Sequence, residues 1–131
     1  MRHVVLIIAA MLAWAAGAQP NVNFIQILTD DQGWGDLGSY GHAFIQSPNI
    51  DRLAEEGLKF TACYSSAGVC SPSRAAILTG RTPYRNGVYR WIPQSHFCYL
   101  PASEVTLPEL LRDAGYQTAH FGKWHLSQYY E

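Results

Sequence analysis

The stretch Asn21–Leu28, Asn-Val-Asn-Phe-Ile-Gln-Ile-Leu, limits the possible folds of this chain more than any other segment. It is rich in β-branched and aromatic residues, almost continuously apolar, and closed off by Pro20 on one side and Asp30-Asp31 on the other. A run of this length without regular polar alternation fits a strand buried on both faces, as in parallel sheets covered by helices. Leu58–Tyr64 and Gln117–Phe121 read as two further strands. Helical signals lie between them. Ser47 and Pro48 mark the start of a helix that Gly57 ends, with Ile50, Leu53 and Ala54 on one face. Pro72–Thr79 reads as a short helix stopped by Gly80. Thr106 and Glu109 have capping-box spacing, Leu107, Leu110, Leu111 and Ala114 form a stripe, and Gly115 terminates it. Strands alternating with helices point to an α/β fold with a largely parallel sheet.

A chain of 131 residues has room for one modest domain. Arg2-His3, the apolar run Val4–Ala16 and the small residues Ala16-Gly17-Ala18 have the order of a secretory signal peptide, read here as residues 1–18. The apolar run is too short to span a bilayer. The remaining region, 19–131, has no repeat, low-complexity tract or internal linker. Three strands and three helices are few for a sheet covered on both faces, so 19–131 reads either as a small complete domain or as one truncated after its first strands and helices. The formal net charge is −1, which gives no global reason to expect a nucleic-acid or membrane-surface partner. The chain has three cysteines, Cys63, Cys70 and Cys98. An odd number in a secreted chain leaves at least one thiol free, modified or paired elsewhere, and the sequence leaves open whether Cys63 and Cys98 pair.

The segment Cys70-Ser71-Pro72-Ser73-Arg74, continuing to Leu78-Thr79-Gly80-Arg81, sets a cysteine just ahead of a helix, where backbone N–H groups favour anions. Arg74 lies one turn on and can reach back. From Gly57 to Ser103 there is no acidic residue, while Lys59, Arg74, Arg81, Arg85 and Arg90 are present, which suits an anionic substrate group. On these residues alone, a buried structural thiol and a reactive one fit equally well. Asp30-Asp31 at the end of a strand could hold a hard cation or simply begin an Asx-turn. Lys123 and His125, two apart, would share a face of an extended segment. The bland alternative there is surface polarity around a packed Trp124.

Cys-x-Pro-Ser-Arg followed by Leu-Thr-Gly-Arg resembles the signature of the formylglycine-dependent sulfatases. Three other segments match in order: Asp30-Asp31 with Gly-Trp-Gly-Asp-Leu-Gly, Ser-Pro-Asn-Ile-Asp-Arg-Leu-Ala, and Gly122-Lys123-Trp124-His125. The general look is nearest to arylsulfatases and N-acetylgalactosamine-6-sulfatases. The resemblance implies an alkaline-phosphatase-like α/β fold and hydrolysis of sulfate monoesters, aryl or carbohydrate. It implies that Cys70 becomes formylglycine, whose hydrated aldehyde attacks sulfur with one hydroxyl and releases sulfate by collapse of the other. It makes Asp30, Asp31 and the residue at position 70 ligands of a divalent cation, usually Ca2+. Arg74, Lys123 and His125 join Cys70 as catalytic residues: Arg74 holds the formylglycine, Lys123 neutralises a sulfate oxygen, and His125 exchanges a proton with a formylglycine hydroxyl. Asp36, Arg81 and Arg85 are expected only to position or support.

The same resemblance implies a formylglycine-generating maturation enzyme as partner and a sulfated small molecule or glycan as substrate. The family takes further metal and sulfate ligands from later in its chains, which implies the truncated reading: 19–131 is the N-terminal part of a catalytic domain. This chain alone is then expected to be inactive, with half a site. Relatives that share the fold and motif hydrolyse phosphate or phosphonate monoesters, which is the alternative activity; a decayed, inactive product is the alternative to an enzyme. The signal peptide places the protein in the periplasm or outside the cell, or in a lysosome if the source is eukaryotic. None of Asn21, Asn23, Asn49 and Asn86 begins an Asn-x-Ser/Thr sequon, which favours the first two.

Overall fold

In the computed structural model the structure describes residues 22–93 and 97–127. The expected signal peptide, 1–18, lies outside the described residues. Among those residues there are four α-helices, α1 (Pro48–Glu56), α2 (Cys70–Thr79), α3 (Pro83–Asn86) and α4 (Leu107–Asp113), with a 3-10 turn at Gly38–Tyr40.

Helix α1 begins where Ser47-Pro48 placed it, but Ser47 does not cap it. Its hydroxyl instead donates to Asp51 Oδ1 at 2.9 Å and accepts the Gly38 N–H at 2.8 Å. Asp51 Oδ1 also accepts the Ser39 N–H at 2.7 Å. Burial alone would push the Asp51 carboxyl up, but the hydrogen bonds from Ser39 and Ser47 outweigh it and hold the group below its ordinary range. The first turn of α1 therefore latches the loop that follows Asp30-Asp31. A Cβ at Gly38 would press on the Asp51 carboxylate, so a larger residue there would displace this latch.

Helix α2 ends at Gly80, whose φ of 64° is left-handed and whose N–H reaches back to the Ala76 carbonyl at 2.8 Å. Helix α3 was not anticipated, although Pro83 at its first position and left-handed Gly87 just past its end are the usual punctuation. In α4, Glu109 accepts both the backbone N–H and the hydroxyl of Thr106 at 2.8 Å, as the spacing predicted.

The core forms around α2. Ala75, Val88, Ile92 and Leu126 are buried together, with Leu78, Cys98 and Leu100 packed against them. Leu100 N–H donates to the Leu126 carbonyl at 2.9 Å, which ties the two C-terminal segments to one another. Cys63 is exposed and does not bond to Cys98, which packs on this core.

The three segments expected as strands form no ladder among the described residues. Val22, Phe24, Ile25, Ile27 and Leu28 are exposed, Ile25 by 86%. A strand is completed only by a neighbour that accepts its backbone hydrogen bonds. The first and third segments nevertheless lie near one another. Phe24 and Tyr116 rings are 5.7 Å apart, and residues 24–28 and 117–124 line one cleft against Ile77 and Leu78 of α2.

Candidate active site

Helix α2 carries the cysteine, and its buried face fixes where the cysteine points. Ser71, Pro72, Ala75 and Ala76 are buried, while Cys70, Ser73 and Arg74 remain half-buried at the surface of a cleft of about 310 Å3. Cys70 is the first residue of the helix, not the residue before it, because Val69 is the last in extended conformation. The loop leading in is held by two hydroxyls: Ser65 and Ser73 both donate to the Ala67 carbonyl at 2.6 Å.

Three distant segments meet at Cys70. Lys123 Nζ donates to Asp30 Oδ2 at 2.9 Å and Oδ1 at 3.1 Å, and stands 3.4 Å from Cys70 Sγ. Arg74 donates through Nη2 to Asp30 Oδ1 at 3.2 Å and through Nη1 to the Lys123 carbonyl. Lys123 first, then Arg74, hold the Asp30 carboxyl below its ordinary range. In return the Asp30 hydrogen bond, reinforced by Cys70, raises the Lys123 ammonium above its own. Asp31 sits in the left-handed region at φ 55°, a conformation aspartate tolerates better than most side chains.

Donor atoms of Asp30, Asp31 and Cys70 lie within 4.8 Å of one another, close enough to share one ion. The two carboxylates suit a hard divalent cation and a thiol does not, so the set fits such an ion once position 70 offers oxygen. The Lys123 ammonium already bridges Asp30 and Cys70, which shows how strongly the cluster draws positive charge.

A sequence profile of the sulfatase family matches residues 22–131. The chain belongs to the sulfatase family. It is 47% identical to the N-acetylgalactosamine-6-sulfatase of Canis lupus familiaris over 95% of its own length and 25% of that protein's. It is 48% identical to arylsulfatase A of Bos taurus, over 92% of this chain and 24% of the relative. For human steryl-sulfatase the figures are 45%, 85% and 20%. This sulfatase chain therefore spans about a quarter of the length of the curated relatives it matches. Membership implies the alkaline-phosphatase-like α/β class. No helix among the described residues is long and apolar enough to cross a membrane.

Of the residues singled out in the sequence, Asp30, Asp31, Cys70, Arg74 and Lys123 come together. His125 does not share their face. Gly122 and His125 both have positive φ, 91° and 58°, so the alternation expected of an extended segment breaks. His125 Nε2 bonds to the Ile92 carbonyl at 3.0 Å, and the ring meets Trp91 edge-on at 5.5 Å. Asp36 accepts the Gly33 N–H at 2.6 Å in a turn. Arg81 makes a two-point ion pair with Glu104 at 2.9 and 3.1 Å and also donates to the Arg85 carbonyl, a supporting role. Ser71 and Ile92, through which His125 is held, were missed; the only local signal was Ser71's place beside Cys70.

Proposed function

We propose that this chain forms the nucleophile side of a sulfuric ester hydrolase acting on aryl or carbohydrate sulfate monoesters. The observation that carries the reading is the meeting of Asp30, Cys70, Arg74 and Lys123 in one hydrogen-bonded cluster, with Lys123 spanning carboxylate and sulfur. Formylglycine made from Cys70 supplies a hydroxyl nucleophile that regenerates itself, and a divalent cation, Ca2+ by preference, held by Asp30, Asp31 and position 70 supplies charge to polarise the ester. Around that position the chain's own groups orient the reactants. Arg74 keeps Asp30 and the Lys123 backbone in place, and Lys123 offers an ammonium to the anionic sulfate. His125, whose ring turns from that cluster toward the Ile92 carbonyl, is the residue we assign to proton transfer.

A calcium ion takes six to eight oxygens, so further donors come from outside the residues described. We place residues 19–131 in the first part of the catalytic domain, with Val22–Leu28 and Gln117–Phe121 as strands of a mostly parallel sheet once their neighbours are supplied. Residues 1–18 direct the protein to the periplasm or the exterior, where a formylglycine-generating enzyme has already modified Cys70.

The test compares aryl sulfate and aryl phosphate as substrates of the full-length protein, expressed with the maturation enzyme and calcium. Sulfate release that vanishes in Cys70→Ala is the expected result. Faster turnover of the phosphate ester would move the reading to the phosphatase relatives, and no turnover of either ester would overturn it.

A further inference from the structure

Ser71 follows the cysteine directly, yet its hydroxyl points the other way, into the core. It is fully buried, and its Oγ accepts the N–H of Ile92, also fully buried, at 3.1 Å. The carbonyl of the same residue is the partner of His125 Nε2 at 3.0 Å. A carbonyl oxygen only accepts, so Nε2 must carry a proton, whichever state the ring is in. In the neutral ring the lone pair is then confined to Nδ1. That atom is shielded from solvent and has no hydrogen-bond partner. A shielded, unpartnered ring nitrogen is uncommon unless something else is meant to occupy its lone pair. Two further contacts hold the imidazole in this pose. Trp91 meets it edge-on, and the backbone at His125 is at φ 58°, a left-handed conformation uncommon outside glycine. Leu126, the next residue, is anchored in the core.

We propose that Ser71 is a positioning residue for His125, acting through residue 92, whose N–H and carbonyl lie in successive peptide units, so that Nδ1 is the nitrogen left for proton transfer. The inference rests on the sulfatase reading for what His125 does, and on hydrogen-bond geometry alone for how it is held. Ser71 never touches the reacting atoms. Its hydroxyl sets the height and tilt of residue 92, the carbonyl of residue 92 sets the tautomer, and the tautomer decides which nitrogen can act. The link also explains why the residue beside Cys70 is polar although it is buried. The short path from Cys70 to Ser71, Ile92 and His125 couples the nucleophile's helix to its proton-transfer partner, independently of the Lys123–Asp30 side of the cleft.

The experiment is nitrogen NMR of the full-length protein labelled at histidine, at a pH where the rings are neutral, with His125→Gln to assign its signals. The expected wild-type spectrum shows His125 as the Nε2–H tautomer. Ser71→Ala should give a mixture of tautomers and lower kcat on an aryl sulfate about tenfold, with KM moving less than about twofold. Ser71→Thr, which keeps the hydroxyl, should restore both. A wild-type His125 protonated at Nδ1 overturns the proposal, as does Ser71→Ala with an unchanged tautomer and kcat. If Ser71→Ala does not fold, the wild-type tautomer decides. An Nε2–H tautomer in a protein that hydrolyses no sulfate ester would uphold the placement of His125 and refute the sulfatase reading alone.

Discussion

Lys123 Nζ lies 2.9 Å from a carboxylate oxygen of Asp30 and 3.4 Å from the sulfur of Cys70, although 93 and 53 residues of chain separate them. One ammonium thus joins Asp30 to Cys70, the residue proposed as nucleophile. Lys123→Met should lower kcat on an aryl sulfate by about a hundredfold or more, as loss of a charge aimed at developing negative charge does elsewhere. Lys123→Arg should recover part of it. Steady-state kinetics with the matured full-length protein checks both; a Lys123→Met enzyme within about threefold of wild type would leave the residue a surface contact.

Asp30 and Asp31 should not respond alike. Asp30 holds Arg74 and Lys123 as well as facing the shared donor cluster, whereas Asp31 belongs to the cluster without those ion pairs. Asp31→Asn is expected to weaken calcium binding and abolish turnover with little change in Tm. Asp30→Asn should do the same and also lower Tm. Calorimetric calcium titration and thermal melts of the two variants separate these outcomes.

Cys70 should be the sole cysteine converted to an aldehyde, because neither Cys63 nor Cys98 has proline and arginine at the matching positions. Mass spectrometry of the digested protein, from a host with the maturation enzyme, measures this. Intact thiol at Cys70 in every molecule would remove the proposed nucleophile.

Leu126 is almost fully buried beside His125. Leu126→Ala should cost about 2–5 kcal/mol by the usual range for a large core side chain. Denaturant unfolding measures the loss, and because Leu126 directly follows His125, kcat should fall with it.

Glu109 contributes a pH-dependent element in the first turn of α4. The Thr106 backbone N–H, then its hydroxyl, hold the Glu109 carboxyl below its ordinary 4.5. A depressed carboxylate pKa stabilises the fold fully above the unfolded value and loses that contribution as pH falls through the folded one. Glu109→Gln should therefore melt earlier than wild type at pH 7. The gap between the two should close as pH drops below about 4.5. A gap that stays constant down to pH 3 would mean that the carboxylate is not what caps α4.

The parts of the fold that were legible are those written in neighbouring residues. Pro48 with Gly57, Thr106 with Glu109, and Gly80 after Thr79 each satisfy a backbone need within a few positions, so the helices fall close to where their punctuation put them. Helix α3 had the same punctuation in Pro83 and Gly87, but only four residues to carry it. The sheet could not be read in the same way. An apolar run such as Val22–Leu28 says that a strand wants burial, not which backbone it pairs with. The carboxylates, Cys70, Arg74 and Lys123 were singled out by the resemblance of their motifs to a family, since the residues alone left a turn and a structural thiol open. His125 was visible as a residue but not in its orientation. Nothing local announces a left-handed histidine, and the carbonyl that receives its ring proton belongs to Ile92, 33 residues away.

The distances along the chain also order the assembly of the site. The Cys70–Arg74 turn forms within one helix, whereas Asp30 reaches Arg74 across 44 residues and Lys123 across 93. Closing longer loops costs more chain entropy, and contacts of high sequence separation are the slow ones in folding. The helix that carries Cys70 can therefore exist before its acidic and basic partners arrive. A nascent or partly unfolded chain presents the future nucleophile with neither the carboxylate nor the ammonium beside it. On the proposed function, catalytic competence is thus a late event, a report that the two ends of the described chain have found each other.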